Sequence, residues 1–331
     1  MLKDDILLKL EKNPGRLITG GGLAKELSVS RTAVWKAINT LKFEGYAIES
    51  LKNKGYRLNQ NNDVLSEYLI KSALTTNFLG NTFEILETVD STNQYLKKMN
   101  FLLIDEGYIV LANEQTAGKG RRGRIFCSPK KEGIYLSLFL KPTFPISDLH
   151  FLTLGIAVAV AKAVEKVCGF RPQVKWVNDL YYNYKKICGI LTEATLSTEN
   201  NAIDGVVIGV GINTGTVNKN VATIATSVEE ITGKKGFRNH LVSEILNYFE
   251  VIYELLQSRV NKGKEYILNE YKKRLFLVRH QVWIIDNKME YLVTVLDIDK
   301  EGSLVVRNDK NEVIHLRTGE ISLKLEGVKD E

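Results

Sequence analysis

The chain has 331 residues, 44% of them hydrophobic and 25% charged, with a formal net charge of +6. That length exceeds what one hydrophobic core usually serves, so two or three domains are expected, and the composition excludes a disordered or collagen-like chain. Cys127, Cys168 and Cys188 are odd in number, widely spaced and without a CxxC, which excludes a disulfide framework or zinc site and fits a reducing cytoplasm.

The N-terminal MLKDDILLKLEKN lacks the apolar core of a signal peptide. Residues 1–60 hold eleven Lys/Arg against six Asp/Glu, so most of the positive excess sits there. Leucines and Ile6 at helical spacing predict a helix over 3–12, stopped by Asn13-Pro14-Gly15. A second helix is expected near 22–27. Ser30 reads as the N-cap of a third, 31–43, ended by Gly45. Residues 46–50 and 55–58 alternate as strands around the basic tip Lys52-Asn53-Lys54-Gly55. This is the pattern of a winged helix-turn-helix over residues 1–62. Val34, Ala37, Ile38 and Leu41 would pack inward. Ser30, Arg31, Thr32, Trp35 and Lys36 would face DNA, with Lys52 and Lys54 on phosphate. A helical module that docks protein is the alternative, and charge and topology together favour DNA.

From 63 to 276 helical and strand patterns alternate, which predicts a mixed α/β body. Helices are expected over 64–74 and 94–99, and strands over 83–89 and 108–115. Asp90-Ser91-Thr92-Asn93 precedes the second helix and serves as a plain cap or as a holder of a polar ligand. Gly118–Arg124 packs three glycines with Lys119, Arg121, Arg122 and Arg124. It reads as a loop whose glycines permit close approach to a ligand and whose cations suit a polyanion. Taken alone it serves equally as a solvated or RNA-binding loop. A strand follows at 133–140. The apolar helix 149–167 carries His150, Lys162, Glu165 and Lys166, too interrupted to span a bilayer. Val174–Val177 reads as a short strand ending in Asn178-Asp179. Strands follow at 185–193 and 206–212, and helices at 237–257 and 262–274. Gly209-Val210-Gly211-Ile212-Asn213 fails the dinucleotide fingerprint, because Thr214 stands where glycine is needed. No phosphate-binding G-x-x-x-x-G-K-[ST] occurs, and four histidines give no recognisable hydrolase context. From 277 to 331, short strands at 281–285, 291–298, 304–307 and 313–316 with polar turns predict a small SH3-like β-barrel.

The motifs DSTN (90–93), EQTAGKGRRGR (114–124), VKWVND (174–179), KICGILTE (186–193) and GVGIN (209–213), in that order, resemble those of biotin protein ligase. The N-terminal winged helix resembles the bifunctional type that also represses the biotin operon. The resemblance covers the whole chain. It implies an α+β multidomain protein that joins biotin to ATP, giving biotinyl-5′-adenylate, and transfers biotin to a lysine of the biotin carboxyl carrier protein. It implies catalytic roles for Lys186 and Arg121. Ser91, Thr92, Asn93, Gln115, Lys119, Gly120, Arg121 and Lys186 would bind biotin. Arg121, Arg122, Phe126, Lys175, Asn178 and Asn213 would bind the nucleotide, with Asp179 near Mg2+. It implies, too, a homodimer when adenylate-bound, operator DNA as partner, no membrane and a cytoplasmic location. Trp176 is read as core packing. Three positions depart from the family pattern: Val177 for proline, Lys119 for arginine and Phe126 for tryptophan. A catalytically inactive biotin-sensing regulator and a lipoate-type ligase are the alternatives.

Overall fold

The computed structural model describes residues 1–196, 203–286, 289–317 and 320–322. The N-terminal module contains α1 (Leu2–Glu11), α2 (Gly20–Glu26), α3 (Arg31–Phe43), β1 (Ile48–Leu51) and β2 (Gly55–Leu58). Ser30 caps α3, its hydroxyl accepting from the Ala33 N–H at 3.1 Å. Val34, Ala37, Ile38 and Leu41 are buried as expected and close a separate small core with Ile6, Leu10 and Leu23. β1 and β2 form the antiparallel wing. Gly55 at φ +124° is obligatory there, since a Cβ would lie 2.2 Å from the Ile18 carbonyl oxygen.

The body begins with α4 (Glu67–Ser72), then β3 (Phe83–Leu86), α5 (Thr92–Lys97), β4 (Ile109–Ala112), β5 (Gly133–Leu140) and α6 (His150–Cys168). It continues with β6 (Gln173–Lys175), β7 (Asp179–Tyr182), β8 (Lys185–Leu196), β9 (Ile203–Asn213), α7 (Val228–Thr232), α8 (Arg238–Ser258) and α9 (Val260–Lys272). Its seven strands form one mixed sheet in the order β3-β4-β5-β9-β8-β7-β6. Only β3 and β4 pair in parallel, joined across α5, and the other pairs are antiparallel. Side chains alternate between faces with the period of two that a strand imposes. On β5, Ile134, Leu136, Leu138 and Leu140 enter the main core with α6 and α8. Tyr135, Ser137 and Phe139 point to the other face, where Phe139 packs with Leu96 of α5.

The C-terminal strands β10 (Gln281–Asp286), β11 (Met289–Ile298), β12 (Leu304–Arg307), β13 (Val313–Leu316) and β14 (Glu320–Ser322) form an antiparallel sheet ordered β13-β12-β11-β10-β14. Among the described residues β13 does not pair with β14, and the five strands stand as an open sheet. The end of the expected segment, 323–331, lies outside the described residues. β14 is a strand that the sequence pattern missed. The sheet shares the main core through Val282, Ile284, Val295 and Leu304. His150 Nε2 meets the Glu301 carbonyl oxygen at 2.6 Å, and Trp176 Nε1 donates to Gly302 O at 3.1 Å. No helix of the described residues is long and apolar enough to cross a membrane.

One buried cation ties the N-terminal joint to the body. Arg238, at 3% side-chain exposure, donates Nε to Asp63 Oδ2 at 2.8 Å and Nη1 to Gly133 O at 3.2 Å, and it also reaches the Asp63 carbonyl. Asp63 is itself a third exposed, at 32%. Asp63→Ala would strand that charge and should cost about 2 kcal/mol, below the usual figure for a fully buried pair. A lower urea midpoint is the expected readout. An unchanged midpoint would mean that the carbonyl contacts alone satisfy Arg238.

Candidate active site

The floor of the site is a patch of sheet without side chains. Gly189 on β8 stands directly opposite Gly211 on β9, and Gly209 stands opposite Ser137 on β5. All face away from the main core. The ring of Phe126 fills the first gap: a Cβ on Gly211 would lie 2.4 Å from it. The amide of Asn93 fills the second, where a Cβ on Gly209 would lie 2.3 Å from Asn93 Oδ1. These glycines permit close approach, and they account for the motif that resembled a dinucleotide fingerprint.

At one end of the floor a chain of polar side chains runs from the loop to the sheet. Ser128 Oγ donates to Phe126 O at 3.0 Å and accepts from Gln115 Nε2 at 2.8 Å. Gln115 Oε1 accepts from the Thr92 N–H at 2.9 Å. Ser137 Oγ lies 2.7 Å from Thr92 Oγ1 and 2.6 Å from Asn93 Oδ1. Thr92 Oγ1 also lies 3.1 Å from Gln115 Oε1, and each hydroxyl has one hydrogen, so Ser137 donates to Asn93 while Thr92 donates to either Ser137 or Gln115. Asn93 Nδ2 then donates to Glu193 Oε2 at 2.9 Å, and Glu193 pairs with Lys97 at 2.7 Å. Ser91 occupies the N-cap position of α5 without a side-chain cap bond, which corrects the plain-cap reading of that motif. Ser128, Ser137 and Glu193 were not singled out from sequence. Ser137 left a signal, a lone serine in the apolar run GIYLSLFL.

The other end is charged. β6 and β7 form a hairpin, where a single strand over Val174–Val177 was expected. Its turn carries Trp176, whose peptide to Val177 is cis, then Asn178. Trp176 is buried in the core, as expected. Asn178 Nδ2 donates to Ile190 O at 2.7 Å, and its Oδ1 accepts from Arg121 Nη1 at 3.2 Å. Lys186 Nζ lies 2.8 Å from Asp179 Oδ1, close enough for an ion pair but outside hydrogen-bond geometry, so that buried oxygen keeps acceptor capacity. Lys175 Nζ sits over the Tyr181 ring, 5.1 Å from its centre. Asn213 ends β9 rather than lying on a turn, and its amide donates to Thr226 O at 3.2 Å and Lys186 O at 3.4 Å. The basic loop closes on itself through a short 3-10 turn, Arg121–Gly123, with Gly120 N–H to Arg124 O at 2.7 Å. Arg122 reaches the Ile285 carbonyl of β10 at 3.4 Å.

All fourteen residues expected in the body, from Ser91 to Asn213, line one cleft of about 1010 Å³. Six Lys/Arg and three Asp/Glu line it, which suits a polyanionic ligand. Among the described residues no group of three or more His, Cys, Asp or Glu is set to hold a metal. On the N-terminal module, Ser30, Arg31, Thr32, Trp35 and Lys36 are all exposed on α3, and Lys52 and Lys54 on the wing tip. The structure thus brings together two separate sets of residues, one in the cleft and one on the helix and wing.

A helix-turn-helix module on a mixed-sheet body with a cationic cleft is the build of a ligand-processing protein that reads DNA. Residues 85–213 match the model of the Biotin/lipoate A/B protein ligase family, and residues 3–57 match that of an HTH domain. The chain is 36% identical over 256 residues to the Bifunctional ligase/repressor BirA of Bacillus spizizenii, covering 76% of this chain and 78% of that one. It is 30% identical over 312 residues to the Bifunctional ligase/repressor BirA of Escherichia coli, covering 94% of each. The solved Biotin protein ligase from Aquifex aeolicus in complex with biotin and ATP superposes with a TM-score of 0.64 at 25% identity, over 73% of this chain and 98% of that one. The chain belongs to the biotin protein ligase family, in its bifunctional ligase/repressor branch.

The bare floor gives a direct test. Gly211→Ala should cost about 1 kcal/mol, the low end for overpacking because the half-buried Phe126 ring can shift. In a Phe126→Ala background the same change should cost almost nothing. Equal losses in both backgrounds, read by thermal unfolding, would place the clash elsewhere.

Proposed function

We propose that the cleft activates biotin and hands it on in two steps. In the first, a carboxylate oxygen of biotin attacks the α-phosphorus of ATP. The bond to the pyrophosphate oxygen breaks, giving biotinyl-5′-adenylate. In the second, a lysine amine of the biotin carboxyl carrier protein attacks the acyl carbon, losing a proton, and AMP leaves. The observation that carries this reading is the convergence of all fourteen expected residues on one cationic cleft in a chain of this family.

The first step brings two anions together, so the cleft has to offset their repulsion. Lys186 and Arg121 are the residues assigned to that task, on the reacting carboxylate and the phosphate. Ser91, Thr92, Asn93 and Gln115 are assigned to the ureido ring of biotin, whose donors and acceptor match their hydroxyls and amides. Lys119 and Gly120 would close over it with Arg121. Arg122, Phe126, Lys175, Asn178 and Asn213 would face the nucleotide. A magnesium ion fits beside Asp179, because that cation commonly takes one or two protein carboxylates plus substrate phosphates and Asp179 Oδ1 has acceptor capacity to spare. Bound there, the ion would neutralise phosphate charge.

The exposed face of α3 and the wing lysines are assigned to operator DNA, with Ser30, Arg31, Thr32, Trp35 and Lys36 over base edges and Lys52 and Lys54 on phosphate. The adenylate would act as corepressor by favouring a homodimer that reads a two-fold related site. Dimerisation must then strengthen adenylate binding by the same factor. We place the domain limits at 1–62, 63–276 and 277–331 and the protein in the cytoplasm. The bulge between Val295 and Asp297, which bends β11, supports an SH3-like barrel for the C-terminal sheet.

Incubation with biotin, ATP, magnesium and the biotin carboxyl carrier domain should add one biotin to the carrier by mass. Lys186→Ala should slow this on the order of 100-fold or more. Gain with lipoate instead would indicate the lipoate-type ligase, and no gain despite biotin binding an inactive sensor. Sedimentation at micromolar protein should show a shift from monomer toward dimer when biotin and ATP are added. An unchanged mass would remove the ligand-driven dimer from this reading.

A further inference from the structure

The turn between β6 and β7 brings the charged end of the cleft together. Asn178 holds Arg121, and Asp179 pairs with Lys186. The turn itself is fixed from two sides. Its inner edge is tied to β8, where Asn178 O accepts from the Ile190 N–H at 3.1 Å and Asn178 Nδ2 donates to Ile190 O at 2.7 Å. From the helical layer it receives a hydrogen bond: Tyr271, in the last turn of α9, donates its hydroxyl to Val177 O at 3.1 Å.

Tyr271 is fully buried, among the largest side chains in the molecule with no exposed surface. Burial pushes its phenol well above the ordinary range, so at neutral pH it is always a donor. α9 is itself held at both ends, by Lys264 to Asp148 at 2.6 Å and by Lys272 to Asp297 of β11 at 2.7 Å. Just beyond it, Arg274 O accepts from the Val174 N–H of β6 at 2.8 Å. The hydroxyl therefore sits on a fixed support, and the carbonyl it holds immediately precedes Asn178.

We propose that Tyr271 is a positioning residue for adenylate formation: its hydroxyl fixes the Val177 carbonyl and so sets where Asn178 and Asp179 stand against Arg121 and Lys186. This rests on the ligase reading above. The ureido ring of biotin is assigned to the other end of the floor, along Thr92, Asn93 and Gln115, and only its carboxylate meets Arg121 and Lys186, so biotin binding should depend on this hydroxyl far less than ATP binding does. Transfer from a finished adenylate supplied at saturation should not depend on it either: the bond at phosphorus has already been exchanged, and saturation offsets a weaker hold on the nucleotide half through Asn178.

The test is biotin-dependent ATP–pyrophosphate exchange with full-length Tyr271→Phe, which keeps the ring and removes the hydroxyl. The KM for ATP should rise about tenfold, the size of one lost buried hydrogen bond. The KM for biotin should stay within about twofold, and transfer to the carrier from biotinyl-adenylate supplied at saturation should be unchanged. Tyr253→Phe is the control. That buried hydroxyl donates to Glu106 at 2.5 Å, away from the cleft, so its loss should lower the melting temperature without moving the KM for ATP. Should Tyr271→Phe fail to fold, Tyr271→Met carries the same expectation. An unchanged KM for ATP would overturn the proposal. So would a fall in all three measurements together with stability. Absence of exchange in the unmodified chain would overturn the ligase reading and the proposal with it.

Discussion

The cleft depends on close approach to the sheet, and that approach depends on missing Cβ atoms. Gly189 and Gly211 are neighbours only because β8 and β9 pair in one register, and Gly209 meets Ser137 only because β9 also pairs with β5. A slip of β9 by one residue would turn Gly209 and Gly211 to the opposite face and drive Ile and Val into the ligand space. The apolar alternation on the main-core side, Val206, Ile208, Val210 and Ile212, holds that register. Hydrophobic burial on one face of the sheet thus sets the geometry of the polar face.

The polar face is ordered by chemistry of two kinds. At the Thr92 end, hydroxyls and amides satisfy one another from Ser128 to Glu193, so none of them is left buried without a partner. A network of that kind is stiff, because moving one member strands its neighbours. At the Lys186 end, cations stand beside a carboxylate and an amide oxygen. There the favourable term is electrostatic and grows when an anionic ligand enters. The same floor therefore offers shape recognition at one end and charge neutralisation at the other, as an acyl-adenylate would require.

Much of this was legible in the sequence, for identifiable reasons. α3, β5, β12 and β13 fall at their expected limits, because capping, periodicity and turn residues agree there. Thirteen of the fourteen cleft residues lay in motifs that stay contiguous along the chain, and Phe126 stands two residues beyond one of them. What was missed is non-local. Ser137 matters through its register against Gly209, and Glu193 through the reach of Asn93 from α5. Tyr271 acts from a helix about a hundred residues away in the chain from the turn it supports. β14 is three residues long, too short to show a period. The β6–β7 turn was read as a strand end because Val174–Val177 is apolar, whereas the chain reverses between Lys175 and Asp179.

One direct contact links the loop beside the cleft to α3, the helix assigned to DNA, and it is small in energy. Lys131 follows the segment that begins at the basic loop, and its Nζ donates to Glu44 O at the C-terminal end of α3 at 2.8 Å. A cation at a helix C-terminus is worth about 0.3–1 kcal/mol when exposed. A working effector response needs about 1–3 kcal/mol. This contact can orient the helix, but it is too weak to carry the whole switch, and the joint at Arg238 and Asp63 ties the N-terminal module to the body through a buried cation that also holds Gly133 O. In the proposed repressor, the free energy of the DNA response therefore comes from association. Two modules held on one dimer bind two half-sites at the cost of ordering a single particle, and the ligand acts by deciding whether that dimer exists.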